Sequence, residues 1–226
     1  LVLSQLCHFN QGVIAELFRQ FGSATAVLDH RRNLRDALPE ASEKLVEMLL
    51  SDDTKARQRA EEEADYAEAH AIQALTMGDE RYPSRLRECD DAPPILFYKG
   101  SADLNQRYVL DIVGTRHCTQ YGQDLVRRFL SDLRQLCPQV LVVSGLAYGI
   151  DICAHRHALQ QGYETVGVLA HGLDQIYPHH HRETAVQMVR QGGLLTEYVS
   201  QTEALPNNFR QRNRIVAGIS DATILV

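Results

Sequence analysis

From Arg107 onward the chain carries eleven arginines and no lysine, and several of these arginines stand close to glycines at the ends of apolar runs. A guanidinium is planar and offers paired donors, which suits a phosphate better than the point charge of an ammonium. Four short segments concentrate the chemistry: IVGTR ending at Arg116, VVSGLAYGID ending at Asp151, GLDQIYP ending at Pro178, and NFRQRNRI ending at Ile215. In the first, Gly114 lets the backbone come close to a ligand and Arg116 lies just past the run; taken alone, that glycine reads as a turn. In the second, Ser144, Gly145 and Gly149 bracket a loop whose N–H groups can form a nest for one phosphate. The third runs into His179, His180, His181 and Arg182 at a helix start, a loop expected to face phosphate, with histidines that gain charge below neutral pH. The fourth sets Arg210, Arg212 and Arg214 around Asn213 at the head of an apolar segment. Cations at a helix N-terminus are unfavourable unless an anion is expected there, so this conflict with a local rule marks a functional place. Asn213 either hydrogen-bonds a base edge or holds the loop.

Other chemistries find less support. Asp151 reads as a cap or first-turn acid of a helix in preference to a catalytic group. His155 lies four residues on, so an acid–histidine pair and a Ser144–His155–Asp151 triad can be drawn. The triad lacks a GxSxG segment around its serine. The histidine run invites a metal, yet adjacent residues on a helix diverge and no CxxC or zincin partner accompanies them. No GxGxxG occurs, which removes most of the case for a dinucleotide. Five scattered cysteines without a CxxC pair indicate reduced thiols rather than a disulfide framework. The expectation is therefore a binding surface with no catalytic residue, no metal ligand and no cofactor.

The elements that must position these segments follow from periodicity. Residues 1–75 read as helical, with apolar spacings of three and four at Val13, Leu17 and Phe21 and a capped break at Gly22-Ser23. Residues 76–106, rich in proline and acid, read as an extended connector with one short strand near Ile95–Tyr98. From 107 to 226 the apolar runs at 108–113, 140–145, 165–170, 193–198 and 222–226 alternate with helix-length segments. That alternation predicts parallel strands with right-handed crossovers, an α/β doubly wound, Rossmann-like sheet. Ligands of such sheets collect at the carboxyl ends of the strands, where all four segments fall or where the next helix begins.

The net charge of −6 argues against a generally basic nucleic-acid binder, but the charge is uneven. Eleven arginines against ten acids leave the stretch from Arg107 at +1, and the acidic excess lies upstream, much of it in EEEAD at 61–65. No apolar run approaches the roughly 20 residues that span a bilayer, and the first residues lack the basic start and cleavage site of an export signal. A cytoplasmic location is expected, and the absence of an initial methionine points to a missing N-terminal piece.

Taken in order, GTR, SGLAYGID, AH, GLDQIYP, GGLLTEY and RNRIVAG resemble the DprA (Smf) family, and the resemblance extends over nearly the whole chain. It implies an extended Rossmann fold behind a small SAM-like helical domain, with YPSRLRECDDAPPILFYKG as the connector. It also implies binding of single-stranded DNA without cleavage during natural transformation, and transfer of the strand to the RecA recombinase. Carried over by position, the DNA pocket comprises Gly114, Arg116, Ser144, Gly145, Gly149, His179, Arg182, Arg212, Asn213 and Arg214. Three departures stand out: His179 where relatives often have lysine, a changed proline before the RNR motif, and His171 in place of a small residue. The family's GSLITA segment and last strands do not appear, and the homodimer interface implied by the resemblance relies on them. The alternative is a Rossmann-type nucleoside-monophosphate phosphoribohydrolase, whose glutamate loop is matched only loosely by QGGLLTE ending at Glu197.

Overall fold

The computed structural model describes residues 1–7 and 10–226; His8 and Phe9, within the stretch read as helical, lie outside the described residues. The front of the chain forms α1 (Val2–Leu6), α2 (Gln11–Phe21), α3 (Ala24–His30), α4 (Leu34–Ala37), α5 (Glu43–Leu50) and α6 (Thr54–Ala69). Local chemistry sets the breaks. Gly22 ends α2 in the left-handed region at φ +75°, and Ser23 Oγ accepts the Ala26 N–H to open α3. Helices α1–α5 enclose Leu3, Ile14, Leu17, Val27, Leu34 and Leu49 in a core of their own. The polar α6 carries charge pairs one turn apart, Asp53–Arg57 and Arg59–Glu63. The buried Glu63 carboxylate also accepts the Ser200 N–H and Oγ–H, which seats α6 on the second half of the chain.

That second half holds β1 (Gln73–Thr76), α7 (Ser84–Arg87), β2 (Ile95–Gly100), β3 (Val109–Val113), α8 (Gln120–Leu136), β4 (Leu141–Ser144), α9 (Ile150–Gln160), β5 (Thr165–Val168), α10 (Arg182–Arg190), β6 (Gly192–Thr196), α11 (Pro206–Gly218) and β7 (Ala222–Leu225). The strands make one sheet in the order β1-β2-β6-β5-β4-β3-β7. From β6 to β7 all neighbours are parallel, while β1–β2 and β2–β6 are antiparallel. Every residue of β4, β5 and β6 is buried, as strands covered on both faces must be.

Helices α8, α9 and α10 cover one face, packing Val126, Leu130, Ala154 and Met188 onto it. On the other, α11 and α7 lay Ile215, Ile219 and Leu86 over Val109, Val143 and Val166. The doubly wound reading thus holds, and strand order reverses at β3, between β4 and β7. Two elements differ from the sequence reading: the one-turn helix α7 stands in the stretch read as an extended connector, and β1 lies across the end of the stretch read as helical. It is a four-residue edge strand with one buried residue, too short to carry a period-two signal.

Candidate nucleic-acid interface

The loop after β3 carries Arg116, and its position is set from the neighbouring strand. Gly149 sits at φ +81°, and a Cβ there would lie 2.0 Å from the Thr115 oxygen and 2.8 Å from the Arg116 Cα. The Ile150 N–H then donates to that same Thr115 oxygen at 3.2 Å. Only glycine lets the start of α9 meet the Arg116 loop this closely. Arg116 is exposed, and its guanidinium lies over the ring of Phe209, 5.1 Å from the centroid. Tyr177, 48% exposed, meets the other partner of that group, with its ring 5.8 Å from Phe209. The carboxyl ends of β3, β5 and β6 therefore contribute one linked set: Arg116, Tyr177 and Phe209.

Two buried histidines hold the loop that follows β5. His171 donates from Nδ1 to the Gly172 oxygen at 2.8 Å, leaving Nε2 to accept the Tyr177 N–H at 3.2 Å. Burial lowers the pKa of His171, so the neutral ring that this pattern requires is favoured. His181 places Nδ1 2.8 Å from the Leu146 oxygen, and the exposed Tyr148 ring meets it edge-on at 5.1 Å. His179 and His180, on the turn before α10, and Arg182 at its first residue all face solvent.

The arginines at 210, 212 and 214 lie along the middle of α11, which Pro206 opens, and not at its N-terminus as the sequence suggested; most of the other residues named from the sequence bond within the protein. Arg212 is 3% exposed and donates from Nη1 to the oxygens of Gly145 and Val168, tying the ends of β4 and β5 together. Gly145 is what admits it, since a Cβ there would sit 2.3 Å from the guanidinium. Burial pushes the Arg212 pKa down while the charge of Asp151 holds it up, and burial raises Asp151 while Arg212 opposes. Asn213 is exposed but its Oδ1 accepts from Arg212 Nε at 3.1 Å, so the loop-holding half of the two readings has a contact. Arg214 pairs with the buried Glu197 and donates to the Asp91 oxygen, on the side of α11 away from Arg116. Gly114 leaves room for packing: a Cβ there would meet the Val226 oxygen at 2.1 Å and Ile150 Cγ1 at 2.6 Å.

Ser144 is fully buried and donates to the Ile112 oxygen at 2.6 Å, a bond between β4 and β3. His155 does not pair with Asp151. Its Nδ1 lies 2.7 Å from Thr165 Oγ1, which donates onward to Val142, and burial drops its pKa to about 3. A triad through Ser144 and His155 does not assemble. Among the described residues no group of three or more His, Cys, Asp or Glu is placed to hold a metal, and no helix is long and apolar enough to cross a membrane.

The structure thus brings Arg116 together with Gly149, places His179 and Arg182 on the adjoining surface, and assigns Ser144, Arg212 and Arg214 to bonds inside the protein. Sequence reasoning passed over Tyr148, Tyr177 and Phe209. The available signal was an aromatic inside three of the four segments, beside the glycines and arginines that carry the chemistry.

Residues 73–226 match the family described as DNA recombination-mediator protein A. The DNA processing protein DprA of Streptococcus pneumoniae is 37% identical over 147 residues, 65% of this chain and 51% of that protein. DprA of Bacillus subtilis is 34% identical over 157 residues, 69% of this chain and 52% of the relative. The chain spans about half the length of these curated relatives. Among solved structures, DprA of Streptococcus pneumoniae aligns with a TM-score of 0.69 and 27% identity, over 93% of this chain and 75% of that one. DNA processing protein A of Helicobacter pylori, described for its unique single-stranded DNA binding mode, aligns at 0.60 with 28% identity over 68% of each chain. With the sheet order, the strand-end loops and these likenesses in agreement, the chain belongs to the DNA recombination-mediator protein A family, DprA/Smf.

Proposed function

We propose that the carboxyl edge of the sheet binds single-stranded DNA and protects it without cleaving it. The observation that carries this is the Arg116 guanidinium held over Phe209 beside the exposed ring of Tyr177. The cation takes a phosphate, and the aromatic surface takes an unstacked base, which a duplex does not present. His179 and Arg182 extend the phosphate contacts on the adjoining surface. Ser144, Gly145, Arg212 and Arg214 support the loops from below. The relative described for single-stranded DNA binding supports this reading. The family's description as a recombination mediator supports a further step, in which this cytoplasmic protein hands the strand to the RecA recombinase.

The phosphoribohydrolase reading needs a working glutamate at Glu197, but that carboxylate is buried against Arg214. The test is a titration of the protein with an oligonucleotide as a single strand and as a duplex. The expected outcome is tighter binding of the single strand by at least about fivefold, the worth of one stacked base at roughly 1–3 kcal/mol. Equal affinity for the duplex would remove the role given to the aromatic rings.

A further inference from the structure

Away from the carboxyl edge, two open grooves of about 540 and 510 Å³ run along the outer side of α9 and α10. They are continuous, because Gln187 and Arg190 line both. The first begins at His179 and Arg182, where the candidate interface ends, and the second reaches Arg156. Arg156 donates to Thr184 Oγ1 at 3.3 Å, which fixes it across the seam between the two helices. Arg156, Arg182 and Arg190 are all exposed.

Among the described residues the trough gathers three arginines that no carboxylate neutralises, as none neutralises Arg116. Arg31, Arg59, Arg85 and Arg214 each hold a carboxylate. Arg156, Arg182 and Arg190 hold none among the described residues, and Glu183 is the one acid among the lining residues of either groove. A stripe of unneutralised guanidinium groups continuous with a phosphate-binding edge fits a polyanion that leaves that edge. From Arg182 to Arg190 the helix rises by about 12 Å, more than one phosphate requires.

We propose that the trough is a second track for the backbone of the same single strand, which passes from the Arg116 site along α10 to Arg190 and Arg156. This inference rests on the reading of the carboxyl edge as a single-strand site. It predicts that the trough acts only on strands long enough to reach it.

The experiment compares oligonucleotides of about 4 and about 16 nucleotides on the wild-type protein and on the Arg156→Ala/Arg190→Ala variant. Both positions are exposed, and a thermal melt shows whether the variant folds as the wild type does. The longer strand is expected to lose about 100-fold or more in affinity, from two contacts at roughly tenfold or more each, while the shorter one changes by less than about twofold. The salt slope for the longer strand should become shallower by about 1.4, at about 0.7 per lost phosphate contact. An unchanged longer-strand affinity in a folded variant, with the wild type binding both, overturns the trough and leaves the Arg116 site standing. A wild-type protein that binds neither strand overturns both. Equal losses on the two lengths would place Arg156 and Arg190 in the primary site and also contradict a second track.

Discussion

Arg116 and Arg212 share a residue type and a strand-end location, yet they do opposite work. Arg116 keeps its guanidinium in solvent on an aromatic seat, where a phosphate can reach it. Arg212 spends its donors on two backbone oxygens and is almost wholly removed from water. The difference was partly legible: Arg212, Ile215, Val216 and Ile219 recur at three and four, which puts the arginine on the inward face of α11. The seat on Phe209 was not legible, because it joins residues 93 positions apart through the packing of the loop after β3 against the first turns of α11. Its worth can be measured. Phe209→Leu keeps apolar bulk at a half-buried position and removes the ring, so single-strand affinity should fall about fivefold, near 1 kcal/mol. In the Arg116→Ala background the same change should cost less, and full additivity would show that the ring does not act through Arg116.

At the scale of elements, the parallel strands were read from the sequence because burial on both faces demands unbroken apolar runs. The short edge strand β1 left no such trace. The loops were legible as glycine positions but not as contacts: Gly149 matters because α9 must touch the Arg116 loop, which depends on how β3 and β4 lie side by side. Helix α9 is also fastened to β5 through His155 and Thr165, and that bond has a pH signature. Burial places the His155 pKa at about 3, far below its ordinary value near 6.5. The unfolded chain therefore takes up this proton first. The contribution of His155 to stability is complete above about pH 6.5 and is lost as pH falls toward 3, by up to about 1.4 kcal/mol per pH unit. Burial lowers His171 and His181 too, so they act in the same direction. Denaturant melts from pH 7 to 4 should show stability falling with acid, and His155→Gln should flatten part of that fall. A variant curve parallel to the wild type would mean that His155 carries no linkage.

For the whole molecule, the acidic net charge and a polyanionic ligand are reconciled by where the charges are used. Among the described residues the helical front pairs four of its six arginines with acids, as in Arg31–Asp53 and Arg59–Glu63, and the strand-end surface leaves Arg116 and Arg182 without an acid partner. Composition alone reports only the sum, so it could not separate these halves by exposure. The central claim is that phosphate contacts at the carboxyl edge, led by Arg116, hold the strand. The most direct measurement is single-strand affinity across a salt series, for the wild type and for Arg116→Ala. The wild-type log–log slope should be about −2 or steeper, from roughly three or more phosphate contacts at about 0.7 each. Arg116→Ala should bind roughly 10- to 100-fold more weakly with a slope shallower by about 0.7, while its melting free energy shifts by less than about 0.5 kcal/mol. Tight binding that ignores salt, or a folded Arg116→Ala that binds as the wild type does, would contradict the claim.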